Sequence, residues 1–112
     1  MVAWNFVDTA PDLTIATYFT SEELIASKPD LARRFTEAMN ESLTYTQAHP
    51  DEAREILKTY TKMTPEIIAQ ITLPVWPTQV NRESLKTLAD LALQDGLIKK
   101  PADLDALLPA GP

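Results

Sequence analysis

Leu13-Thr14-Ile15-Ala16-Thr17-Tyr18-Phe19-Thr20-Ser21-Glu22-Glu23-Leu24-Ile25 changes its period midway. Leu13, Ile15, Thr17 and Phe19 alternate with Thr14, Ala16, Tyr18 and Thr20, a two-residue rhythm rich in β-branched and aromatic side chains that predicts a strand. Thr20-Ser21-Glu22-Glu23 then has the form of a capping box and predicts a helix through about Ala26. Trp4 to Val7 reads as a second short extended piece. Two such strands make a poor sheet on their own. An apolar strand with open edges implies missing sequence, another chain or a covering helix.

Beyond this stretch, proline divides the chain. Pro29, Pro50, Pro65 and Pro101 each precede an apolar-periodic segment, where the missing N–H costs nothing and the fixed φ suits a first helical turn. The longest segment, about Pro29 to Ala48, sets Leu31, Phe35, Ala38, Met39, Ser42, Leu43 and Thr46 on one stripe, expected to be buried. Arg33, Arg34, Glu37, Asn40, Glu41 and Gln47 form its solvated side. His49-Pro50 predicts a break, followed by a helix with Ala53, Ile56, Leu57 and Tyr60 inward. Thr64 is expected to cap a short third helix through Ile67, Ile68 and Ile71. Leu73-Pro74-Val75-Trp76-Pro77 predicts an ordered apolar loop. Asn81 predicts the cap of a helix ending at Gly96, with Leu97 placed for a Schellman close. A last helix is expected from Pro101 to Leu108, with a fraying tail after it.

The 112 residues fit one domain. A net charge of -6 disfavours nucleic acid and anionic membrane. The lack of Cys removes disulfides and thiolate chemistry, and two Gly are too few for a phosphate-binding glycine loop. No apolar run reaches bilayer length, and no signal sequence is expected from the start Met1-Val2-Ala3-Trp4-Asn5. His49 is the single imidazole and sits at a helix break, so it reads as a junction residue. Glu22-Glu23, Asp51-Glu52 and the Asp103, Asp105 pair each lie in a first helical turn, where the helix dipole accounts for them. No catalytic residue, metal site or cofactor is expected. Trp76, between two prolines, and Tyr18, opposite Ile15 and Phe19, are the aromatics least easily assigned to a core.

The order of these segments resembles a known family. Tyr18-Phe19-Thr20-Ser21-Glu22-Glu23-Leu24-Ile25 leads into Lys28-Pro29-Asp30-Leu31. After it come Ala48-His49-Pro50-Asp51-Glu52-Ala53, Leu73-Pro74-Val75-Trp76, Leu88-Ala89-Asp90 and Asp95-Gly96-Leu97-Ile98. This series is similar to the late part of ABC-importer solute-binding proteins of the nitrate, sulfonate and taurine type, which are themselves similar to pyrimidine-precursor binders. Lys28 and His49 stand where that family usually has Asn, and both departures touch helix caps.

The resemblance implies an α/β parent fold of the type II periplasmic-binding-protein kind. Residues 1–112 would be one segment, the carboxyl-terminal part of the first lobe: mainly α, with five or six helices and one or two N-terminal strands. Residues 1–20 would cross the hinge and 21–108 would be helical. Most of the ligand cleft would lie outside this segment, leaving Tyr18, Thr20 and Trp76 as ligand-binding candidates. The implied role is non-enzymatic solute binding, periplasmic or membrane-associated on the extracytoplasmic side, with a small-molecule solute and an ABC permease as partners. A stand-alone helical interaction module is the competing reading, and a fragment of a pyrimidine-synthesising enzyme of the same fold is a third. The isolated chain is expected to pair as a two-fold homodimer through its N-terminal strand.

Circular dichroism of the chain should show helix far in excess of strand; a strand-dominated spectrum would reject this division into segments.

Overall fold

A computed structural model describes residues 4–108. Six helices run through them: α1 (Glu22–Ser27), α2 (Pro29–Ala48), α3 (Pro50–Tyr60), α4 (Pro65–Gln70), α5 (Arg82–Gln94) and α6 (Leu104–Leu107). They divide between two compact units. One comprises Met1–Tyr18 and Val80–Pro112 and holds α5 and α6; the other comprises Phe19–Gln79 and holds α1 to α4.

Proline and short polar side chains set the helix starts. Pro29, Pro50 and Pro65 occupy the first turns of α2, α3 and α4. The Thr64 hydroxyl accepts the Ile67 N–H at the start of α4. Ser21, not Thr20, caps α1, its Oγ accepting the Leu24 N–H at 3.1 Å, so the capping element sits one residue later than the sequence pattern placed it. The fourth proline does not begin a helix. Asp103 does so instead: its Oδ1 accepts the N–H groups of Asp105 and Ala106 at 3.1 and 3.0 Å, and α6 is a single turn.

Within the second unit, α2 packs against α1 and α3, and α3 against α4. Arg54 on α3 ties the last pair together. Its guanidinium donates to the carbonyl oxygen of Ile68 and, at 3.1 Å from both terminal nitrogens, to that of Ile71. These are carbonyls at the C-terminal end of α4 that have no partner within the helix. Ile68 is the large side chain buried by this arrangement. The loop after α4 is irregular, as its prolines require, and the Trp76 N–H donates to Gln47 Oε1 at 2.8 Å.

In the first unit the expected strands are absent: among the described residues there is no strand and no sheet. Residues 4–9 form a turn, with Asp8 N–H donating to Trp4 O and Thr9 Oγ1 to Asn5 O. Residues 13–20 lack regular structure. The alternation of Leu13 to Thr20 is compatible with extended backbone, yet a strand exists only where a second backbone completes a ladder. Here side chains take the backbone groups. The Thr14 N–H donates to Ser84 Oγ at 3.0 Å, Thr14 Oγ1 accepts the Asn81 N–H at 3.2 Å, and Asn81 Nδ2 donates to Asp12 O at 3.1 Å. Ser84, buried on α5, also donates to Asn81 O at 2.9 Å. Asn81 Oδ1 caps α5 through the N–H groups of Glu83 and Ser84. The far end of α5 closes in Schellman form, with Leu97 N–H on Ala92 O and Gly96 N–H on Leu93 O, and Gly96 at φ 74°. Leu97 itself is 80% exposed, so the backbone of the motif forms without a buried apolar contact.

Burial is sparse. Ala10 and Ile68 are the buried apolar residues among those described. On α2 the predicted stripe splits: Met39, Leu43 and Thr46 are half-buried, whereas Leu31, Phe35, Ala38 and Ser42 are exposed. The chain exposes 9520 Å². Two separate globules of the two units' sizes would expose about 7,400 Å² together.

Gly96→Ala should lower stability by about 1 kcal/mol in urea unfolding: the backbone is left-handed, and no atom lies within 4 Å of an added Cβ, so the cost is conformational only. Ser84→Ala should cost more, roughly 1–3 kcal/mol, because it strips the Thr14 N–H of its acceptor in a part-buried place.

Candidate functional site

The clearest local constellation is built at the corner between α2 and α3. Pro50 disfavours helical geometry at the residue before it, and His49 accordingly sits at φ -126°, ψ 62°, ending one helix and preceding the next. The expected junction role of His49 is its position in the structure. Tyr45 lies one turn earlier on the same face, and the two rings stack with centroids 3.9 Å apart and planes 14° from parallel. His49 Nδ1 is 2.7 Å from the Tyr45 carbonyl oxygen. A carbonyl only accepts, so this nitrogen carries the proton and Nε2 of the neutral ring is an acceptor. From α3, Glu52 receives the Tyr45 hydroxyl, which donates to its carboxylate with Oε1 at 3.1 Å and Oε2 at 2.9 Å.

Two open depressions flank this corner. One, of about 530 Å³, is lined by Asn40, Glu41, Thr44, Tyr45, Ala48 and His49. The other, of about 320 Å³, is lined by Glu41, Ser42, Tyr45 and Thr46. Their walls offer an amide, hydroxyls, a carboxylate and aromatic faces. Nothing in them resembles an activated nucleophile with a base beside it. Among the described residues no group of three His, Asp or Glu side chains is placed to hold a metal ion.

Tyr18, Thr20 and Trp76 are not brought together as lining of either depression. Tyr18 is exposed at the end of the first unit's N-terminal segment; Thr20 is exposed in the second unit, and Trp76 is half-buried there in its proline loop. Sequence reading did not name Tyr45 and attributed Glu52 to the helix dipole alone. A four-residue spacing to His49 marks Tyr45 as its neighbour, but the bond to Glu52 spans the helix break and depends on the corner angle.

Glu52 also changes the Tyr45 phenol. The hydrogen bond to the carboxylate, with smaller contributions from desolvation and charge, holds its pKa above the ordinary tyrosine value. A group raised on folding favours the folded state below its unfolded pKa, and that contribution is lost as pH rises through the folded value. An alkaline ultraviolet titration, taken as the difference between the chain and its Tyr45→Phe variant, should place Tyr45 above 10, and Glu52→Ala should bring it back toward 10. No movement on removing Glu52 would show that the pair does not form in solution.

No curated protein and no solved structure matches the chain. Residues 2–53, which include the run from Tyr18 to Leu31 and all of α1 and α2, match the family model described as NMT1/THI5 like.

Proposed function

We propose that this chain forms the carboxyl-terminal part of the first lobe of a solute-binding protein serving an ABC importer for nitrate, a sulfonate, taurine or a pyrimidine-type solute. The observation that carries the reading is the family match over residues 2–53. The sparse core supports it. A segment that belongs within a larger lobe keeps apolar faces for the rest of that lobe, and Leu31, Phe35, Ile56 and Ile67 are all at least half exposed. In such a protein two lobes close on the solute, and the closed form is what a permease recognises. Tyr18, Thr20 and Trp76 are the ligand contacts this segment would supply, on the solute's side of the bilayer and without catalysis.

One wall of a cleft leaves a small ligand largely hydrated, so affinity belongs to the assembled lobes. Substituting this chain for the corresponding segment of a complete binding protein of the family should give a folded chimera that keeps micromolar affinity by calorimetry. The 112-residue chain alone should show no micromolar binding of nitrate, taurine or a pyrimidine. Within the chimera, Trp76→Ala and Tyr18→Ala should each weaken binding about tenfold, the scale of a lost aromatic contact. A chimera that folds without binding would count against the transport reading. An unchanged affinity in both variants would remove the two aromatics from the site.

A second reading, a helical module that binds another protein, is favoured by the same exposed apolar side chains. It would be preferred if the chimera failed to fold while the free chain was stable and cooperative.

A further inference from the structure

Trp76 stands in a loop that has few means of holding itself. Pro74 and Pro77 lack an N–H, so between them only Val75 and Trp76 can donate, and residues 72–77 belong to no helix or strand. Pro77 restricts the backbone of Trp76 before it to extended geometry, which narrows the conformation without fixing where the indole lies. The anchor comes from α2, where Gln47 Oε1 accepts the Trp76 N–H at 2.8 Å, across 29 residues of sequence. Among the described residues this is the hydrogen bond that joins residues 73–77 to a helix.

Gln47 is itself held in a defined place. It lies in the last turn of α2, next to the final residue Ala48 and just ahead of the His49-Pro50 corner. A backbone N–H only donates, so the amide oxygen and not the amide nitrogen must face Trp76. Periodicity sets Gln47 among the solvated residues of α2, and it is exposed; the proline loop is what gives it a partner.

We propose that Gln47 is a positioning residue of the solute site: it holds the loop so that the Trp76 side chain is in place before the solute arrives. This rests on the reading of Trp76 as a solute contact. A side chain and loop that must be ordered during binding take that cost out of the affinity, whereas a loop already tied to a helix does not. Gln47 acts through Trp76 and makes no solute contact of its own in this role.

Gln47→Met keeps the length and helix propensity of the side chain and removes the oxygen, whereas Gln47→Glu keeps an acceptor. In the 112-residue chain, Trp4→Phe leaves Trp76 as the one tryptophan. On that background Gln47→Met should raise the acrylamide quenching constant of Trp76, and Gln47→Glu should return it to the original value. Unchanged quenching in Gln47→Met overturns the proposal, as does a Glu variant that behaves like the Met variant. Circular dichroism should show the same helix content throughout, because the position is exposed. Loss of helix in Gln47→Met would assign the residue to the fold and not to the loop, and also overturns the proposal.

The solute test uses the chimera built on a taurine-binding host and titrated with taurine. There Gln47→Met should weaken binding about fivefold, the worth of one net hydrogen bond. Once Trp76→Ala is present it should have no further effect, since a residue that acts through Trp76 has nothing left to position. A general structural defect would instead add in full to the loss from Trp76→Ala. Such additivity, or full affinity in Gln47→Met beside a weakened Trp76→Ala, overturns the proposal and leaves the reading of Trp76 standing. Full affinity in Trp76→Ala, or a folded chimera that does not bind taurine, removes that reading and this proposal with it.

Discussion

A helix buries an apolar stripe only where another element lies against it, and here the elements available for that purpose are few. α1, α4 and α6 have six, six and four residues, so each covers little of its neighbours. The consequence runs through the whole chain. Ile68 is buried because α3, through Arg54, closes over the end of α4, while Phe19, Leu97 and Val75 lie largely in solvent. Stability from hydrophobic burial follows the area removed from water. Many large apolar side chains of this chain are still exposed, and its proposed place in a larger lobe follows from that shortage.

Polar contacts therefore carry an unusual share of the local order. In the first unit the Thr14, Asn81 and Ser84 side chains join an irregular N-terminal segment to the start of α5, doing with three short side chains what a ladder would have done with backbone. In the second unit Arg54 takes two carbonyls at the end of α4, and Gln47 takes the Trp76 N–H. Each of these bonds satisfies a backbone group that would otherwise lack a protein partner. Such bonds are directional, so they fix where a segment lies even though each adds little net stability. The ion pairs are different. Arg33 with Asp30 and Glu37, and Lys86 with Asp90, lie along exposed helix faces where water screens them.

The corner at His49-Pro50 is where local chemistry becomes a site. Proline forces the turn, the turn puts Glu52 within reach of Tyr45, and the His49 ring stacks on the Tyr45 ring. The same helix that ends there lines the two adjoining depressions. The family match ends at residue 53, just past this corner, and so takes in Tyr45, His49 and Glu52 along with Tyr18 and Thr20.

The sequence by itself determined the helices and most of their ends. Pro29, Pro50 and Pro65 fix φ and lack a donor, Thr64 and Asn81 accept the first free N–H groups, and Gly96 tolerates a left-handed backbone; these are effects of neighbouring residues and need no fold to express them. The resemblance to solute-binding proteins was read from the order of the junctions, and the family match covers those up to residue 53. Tertiary structure decided what depends on distant partners. Leu13 to Thr20 has the side chains of a strand but no second backbone to pair with, so Ser84, seventy residues away, takes the Thr14 N–H and Asn81 takes the Asp12 carbonyl just before it. The stripe on α2 reads as one buried face by spacing alone, yet only part of it meets another helix. Arg54 and Glu52 look like ordinary surface charges until the α2–α3 and α3–α4 packing brings a carbonyl or a phenol to each. A periodic pattern states which side chains share a face, and whether that face is covered is settled by what else is there to cover it.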